Sequence, residues 1–247
     1  MILRADLHIH SCLSPCGSLD MSPSRIVSHA IERGLDLIAI TDHNSALNSP
    51  ALEESARRSG RISCLYGMEI TSTEEVHSLA LFGTSAEALD FGKMLSGYLP
   101  PVRFDSEIFG EQVVVDADEN VLEIIDMYLV NGLTLAIERI EAEVHKFGGL
   151  FIPAHIDRPI NSMISQLGFF PDKLNCDAIE VSRHFHGNAE AVKLLNPESR
   201  FAVISGSDAH YPDDIGVVYS EIECDDMSFS SIANAMHNKK IKIIHKD

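Results

Sequence analysis

The stretch Asp36-Leu37-Ile38-Ala39-Ile40-Thr41-Asp42-His43-Asn44 is a continuous apolar run that ends in polar, titratable side chains. A short run without alternation suits a strand covered on both faces, as in a parallel sheet. Polar site residues of α/β proteins collect at the carboxyl edge of such sheets, and Asp42-His43 stands where that edge is expected. Asp42 reads equally as a cap for a following helix. Upstream, Leu3 to Leu7 predicts a first strand. Ser22 followed by Pro23 predicts an N-cap with proline in the first turn, and Ile26, Val27, Ala30 and Ile31 recur at helical spacing until Gly34. Downstream, Ala51 to Ser59 predicts a helix closed by Gly60, Ile62 to Tyr66 a strand and Val76 to Phe82 another. Strand-helix alternation of this kind predicts βα units around a parallel sheet.

From Thr84 to Phe147 the character changes. Pro100-Pro101 breaks the chain, Gln112 to Asp118 (QVVVDAD) is a short extended piece, and helical patterns follow near Glu119 to Val130 and over Thr134 to Phe147, the latter stopped by Gly148-Gly149. Residues 84–147 therefore read as a mainly helical insertion or cap between two parts, 1–83 and 148–247, of one barrel. Alternation resumes with Leu150 to Ala154, Asp177 to Val181, Phe201 to Ser205 and Ile241 to Ile244.

The chain has 247 residues, a formal net charge of −18, 12 histidines and five cysteines. Its length suits one α/β barrel. The acidic balance disfavours a protein that coats long nucleic acid, but bound cations reverse the sign locally and admit a small phosphorylated substrate. No apolar run is long enough for a membrane span, and Met1 to Asp6 lacks a targeting pattern, so a cytoplasmic location is expected. The cysteines (Cys12, Cys16, Cys64, Cys176, Cys224) are odd in number and scattered, which argues against a disulfide framework.

The chemistry concentrates at the ends of the apolar runs. In Asp6-Leu7-His8-Ile9-His10, residues two apart on a strand face one side, so both imidazoles can converge on one ion, with Asp6 available to orient one of them. Taken alone, the pair is as well explained by histidines packed on a half-buried strand. Gly67-Met68-Glu69, His77, Pro153-Ala154-His155-Ile156-Asp157-Arg158 and Gly206-Ser207-Asp208-Ala209-His210 follow the same pattern. Separate runs that deliver His, Asp or Glu at one relative place would fill one barrel mouth, and this donor set suits Zn, Mn or Fe better than Mg or Ca.

DLHIHS, AITDHN, GMEI, the His77 of EEVHSLALF, PAHIDR and GSDAH, in this order, resemble the polymerase and histidinol phosphatase (PHP) superfamily of metal-dependent phosphoesterases. The resemblance implies a distorted seven-stranded (β/α) barrel holding two or three divalent ions. It implies that His8, His10, Glu69 and Asp208 hold one ion, Glu69 with His77 and His155 a second, and His43 with His210 a third. Where the family usually completes the third shell with His or Asp, this chain has Ser14-Pro15-Cys16-Gly17. Cys16 is then either a thiolate ligand or a small buried cysteine.

The expected reaction is hydrolysis of a phosphate ester by a metal-activated water, with Asp208 and His210 at the reacting centre. Arg158 and Arg183 are candidates to grip the phosphate, though Arg183 reads as readily as a surface group; His184 and His186 are candidates to protonate the leaving group. The substrate expected is a nucleotide, a short oligonucleotide end or another small phosphomonoester, with histidinol phosphate as an alternative. A metal-binding regulatory or polymerase-associated module without turnover is the alternative of another class. The segment Ser85 to Glu111, with Phe104 and Phe109, is placed to shape specificity.

Overall fold

The computed structural model describes residues 1–185 and 195–246. The first part of the chain runs β1 (Ile2–Ile9), α1 (Pro23–Glu32), β2 (Leu37–Ile40), α2 (Ser49–Ser59), β3 (Ser63–Thr71) and β4 (His77–Phe82). The middle holds α3 (Ser85–Ser96), α4 (Ser106–Phe109), β5 (Val113–Val115), β6 (Val121–Ile124) and α5 (Ile137–Lys146). The last part holds β7 (Leu150–Pro153), α6 (Met163–Leu167), β8 (Ala178–Val181), β9 (Ala202–Ser205), β10 (Val218–Glu223), α7 (Phe229–His237) and β11 (Ile241–His245).

Seven strands form one sheet in the order β11-β10-β1-β2-β3-β4-β7, and β8 and β9 form a parallel pair. The pair lies between the sheet's two ends, β8 beside β7 and β9 beside β11, which completes a distorted α/β barrel. Strands β1, β2 and β3 are mutually parallel, whereas β4 is antiparallel to β3 and β7 antiparallel to β4. The reversal brings the start of β4 to the same rim as the ends of β1, β2, β3 and β7.

Both faces of the sheet are covered, which is why the strands read as continuous apolar runs. Ile38, Ile40, Met68, Ala80 and Phe82 pack on one face with Ile26 and Val27 of α1, Leu52 of α2, Phe91 of α3 and Ile140 of α5. Leu37, Ala39, Leu65, Leu79 and Leu81 face the other way, into a second cluster with Ala178, Ile204 and the α7 residues Ile232 and Met236. Helix α1 starts as expected, with the Ser22 side chain accepting the Arg25 N–H and proline in the first turn. Gly60 closes α2 in the left-handed region at φ 60°, where a Cβ would be strained.

The middle segment departs from expectation at one element. In place of a helix near Glu119 to Val130 there is a hairpin, with Val113–Val115 paired antiparallel to Val121–Ile124. The Asp116 carboxylate accepts the N–H groups of Asp118 and Asn120, and Glu119 takes φ 64°, so the acidic tract makes a turn instead of starting a helix. Helices α3, α4, α6 and α7 and strand β10 lie where the sequence pattern predicts no element. Among the described residues, no helix is long and apolar enough to cross a membrane.

Candidate metal centre

The Glu69 carboxylate, buried near the end of β3, lies within 3.5 Å of five imidazoles: His8 Nε2 at 3.5 Å, His10 Nε2 at 3.5 Å, His43 Nδ1 at 3.1 Å, His77 Nδ1 at 2.8 Å and His155 Nε2 at 3.0 Å. They come from four places on the rim: His8 and His10 at the end of β1, His43 just after β2, His77 at the start of β4 and His155 just after β7. Asp208, after β9, sets its Oδ1 3.5 Å from His8 Nε2 and 3.2 Å from His10 Nε2. Cys16 Sγ lies 3.4 Å from His43 Nε2, and Cys16 groups with His10, His43 and His210.

Among the described residues, three sets of side chains are close enough to hold an ion: His8, His10 and Glu69; Glu69, His77 and His155; and His10, Cys16, His43 and His210. His8 Nε2, His10 Nε2 and His43 Nδ1 are buried, face carboxylate oxygens, and make no aligned hydrogen bond. Buried polar atoms are normally satisfied, so convergent orphaned ring nitrogens are the pattern expected of ligands, and the donor chemistry fits borderline divalent cations. Metal binding requires neutral imidazoles. Burial holds His43 well below the usual imidazole range, and burial with the neighbouring His10 lowers His210 to about 4. Burial also opposes a charge on His8, but Glu180, Asp208 and Glu69 outweigh it and raise that imidazole.

The groups behind these side chains hold their aim. His8 Nδ1 contacts both oxygens of Glu180, at 2.9 and 3.1 Å, and the His155 N–H donates to Glu180 Oε2 at 3.1 Å. Glu180 is buried on β8 within the run Ala178–Val181, where the sequence reading saw only a strand. Its signal was a lone carboxylate inside an apolar strand. Asp6, expected to orient a histidine, instead accepts the N–H groups of Ser207 and Gly216, both at 2.9 Å, so its two oxygens brace the chain after β9. His10 Nδ1 reaches Ser14 Oγ, which donates to Asp42 at 2.7 Å, so Asp42 braces the loop after β1 through Ser11 and Ser14.

The backbone is strained here. Asn44, His155 and Asp208 have φ values of 49°, 30° and 49°, in the left-handed region. Asn44 is held by its own side chain, which accepts the Thr71 N–H and donates to the carbonyls of Leu129 and Asn131.

A cavity of about 380 Å³ opens on the centre, lined among others by Val130, Arg158, Arg183 and His184. Arg158 Nη1 lies 2.9 Å from Asp208 Oδ2, and Arg183 pairs with Asp214 at 3.1 Å while its Nε donates to His184 Nε2. Arg183 is thus part of the cavity wall. His186 lies outside the described residues.

Comparison with known proteins agrees with this geometry. The chain is 27% identical, over 265 aligned positions, to the uncharacterized protein YqxK of Bacillus subtilis, covering 95% of this chain and 62% of that protein. Over 83 residues it is 34% identical to the 5'-3' exoribonuclease Rnm of Salmonella typhimurium, covering 33% of this chain and 27% of that protein. The lesion-specific endonuclease PfuEndoQ of Pyrococcus furiosus superimposes with a TM-score of 0.74 at 20% identity, over 98% of this chain and 58% of that one, which shows the shared fold. This chain therefore spans less than two thirds of these relatives. A PHP-associated model matches residues 186–241 and the PHP domain model matches residues 6–144, more than half of the chain, so the chain belongs to the PHP domain family.

Proposed function

We propose that this chain is a metal-dependent phosphoesterase that hydrolyses a nucleotide, a short oligonucleotide end or another small phosphomonoester. The observation that carries the reading is the convergence of five imidazoles on the buried Glu69 carboxylate, with Asp208 beside two of them. His8, His10, Glu69 and Asp208 would hold one ion, Glu69, His77 and His155 a second, and His43, His210 and Cys16 a third. Zn, Mn or Fe bound there supplies positive charge against a phosphate dianion and acidifies water.

The chain's own groups do the rest. Arg158 and Arg183 present guanidinium groups to a phosphate entering the cavity. Asp208 holds Arg158 in place, and His210, with its Nδ1 directed to the Asp208 carbonyl at 2.8 Å, keeps its ring at the mouth. His184, which lines the cavity with its Nε2 3.3 Å from Arg183 Nε, stands at the rim as the candidate to protonate the leaving oxygen. The cavity volume suits a small ester, and residues 84–147 contribute Val130 to its wall as a cap would. The similarity to an exoribonuclease, and to an endonuclease Q crystallised with a 27-mer duplex carrying an abasic lesion, favours a nucleotide-type ester.

The test is phosphate release by manganese-loaded protein from nucleoside monophosphates, short oligonucleotides with phosphorylated ends and histidinol phosphate, beside metal analysis. Release from a nucleotide-type ester at least a hundredfold above a His8→Ala control is expected. Release no greater than that control rejects the reading.

A further inference from the structure

Three aromatic rings sit together outside the hydrophobic clusters formed by the described residues. Phe104 and Tyr128 are stacked at 5.7 Å between centroids with planes 16° apart, Phe109 lies 5.3 Å from Tyr128, and Phe104 and Phe109 are 6.0 Å apart. Phe109, at the end of α4, is 48% exposed, an unusual outlay of apolar surface for a ring with no core behind it. The chain next to two of these rings reaches the cavity or the loop that lines it. Gly110, next to Phe109, brings its Cα so close to the loop after β1 that a Cβ would lie 3.1 Å from the Pro15 carbonyl, and Pro15 precedes the cavity residue Cys16. Tyr128 stands two residues before Val130, which lines the same cavity.

We infer that Phe109, Tyr128 and Phe104 form a stacking platform for the nucleobase of a substrate whose phosphate enters the metal-site cavity. The inference rests on the phosphoesterase reading and deepens it by naming the substrate class as a nucleotide or a nucleic-acid end. A base has an apolar π-face that stacks on an exposed aromatic ring whatever its identity, so the platform selects for a base without selecting its sequence. The charge around it sets the length of substrate. Arg103 is exposed, but so are Asp105 and Glu107 nearby in sequence and Asp126, two residues before Tyr128, so a run of phosphates is repelled where a neutral base is not. The phosphate's favourable partners, Arg158 and Arg183, line the cavity instead. One base on the platform with one phosphate in the cavity satisfies both.

The experiment compares the manganese-loaded full chain with Phe109→Leu, which keeps an apolar side chain but removes the π-face, and with Phe109→Trp, which restores one. For each, kcat/KM is measured for adenosine 5'-monophosphate and for ribose 5-phosphate, and the ratio of the two is the readout. In Phe109→Leu the ratio falls about fivefold to a hundredfold, as expected for a lost base stack, and Phe109→Trp restores it. A ratio equal to wild type in Phe109→Leu overturns the platform. If neither ester is hydrolysed, the phosphoesterase reading has failed, and the platform is judged by equilibrium binding of adenosine 5'-monophosphate to the metal-loaded chain. Weaker binding by Phe109→Leu then supports it, and equal binding overturns it.

Discussion

Glu180 does not line the metal-site cavity, yet it holds His8 by Nδ1 and His155 by its N–H, so it governs the aim of two candidate ligands at once. Carboxylates that orient a ligating imidazole typically govern metal affinity by 10- to 100-fold. Glu180→Gln is therefore expected to weaken manganese binding by about that factor in a chelator competition, and equal affinity would show that packing alone orients His8. Gly206 matters for the same reason, since a Cβ there would lie 2.7 Å from His8 Cβ and 3.0 Å from Glu180 Oε1. Cys16 presents a different problem. Burial, reinforced by Glu69, pushes its thiol up to about 12, so only a bound cation would make it a thiolate near neutral pH. Cys16→Ala is expected to lower metal content by one ion per chain, measured by elemental analysis after dialysis; unchanged content assigns Cys16 to packing.

Helices α5 and α7 are tied to the start of β8 by Asp177, whose carboxylate lies 3.0 Å from His145 Nε2 and 2.7 Å from His237 Nε2 and also accepts the Phe151 N–H. The Asp177 hydrogen bond raises His145, against the effect of burial. Burial opposes the charge on Asp177, but His145, His237 and the Phe151 N–H outweigh it and hold the carboxyl below its usual range. The stability contributed by His145 is complete below about pH 6.5, its unfolded value, and is lost as pH rises through the raised folded value. That of Asp177 is present above about pH 3.9 and is lost as pH falls through the lowered folded value. The clamp is strongest between these limits. The gap in melting temperature between wild type and Asp177→Asn, followed from pH 6 to pH 9 in chelator, is expected to narrow as pH rises; a constant gap would show that His145 is not charged in the fold.

The chain as a whole carries −18, yet its candidate site is proposed to take an anion. Cations at the barrel mouth resolve the conflict, because each brings two positive charges into a buried place where screening is weak. They also link metal to stability, since ligands that bind the folded state alone stabilise it by about 2.7 kcal/mol at a hundredfold excess over Kd. For a domain of this size that corresponds to a rise of roughly 5–10 °C in Tm on adding manganese to chelated protein. No shift on saturation would show that the buried cluster is held by hydrogen bonds instead of metal.

Much of this was legible in the linear chain. The runs of β1, β2, β4 and β7 and the histidines bounding them announced a covered sheet with a polar rim, because burial on both faces removes alternation and leaves the polar groups at the ends, but the expected parallel sheet is mixed, with β10 antiparallel to β1 and β11 and β4 antiparallel to β3 and β7. The capping box of α3, Thr84 with Glu87, is equally local. Strand β5 lies where the extended piece is expected, but β6 is not legible because VLEI has neither a helical stripe nor a buried face: all four residues are exposed, and pairing with Val113–Val115 decides their conformation. What the amino-acid sequence determined alone was which residues carry chemistry and where strands and caps begin, since both depend on neighbours a few positions apart. Tertiary structure decided that five histidines share Glu69, that Glu180 and not Asp6 braces them, and that Phe104, Phe109 and Tyr128 meet, because those contacts join residues brought together only when the chain folds.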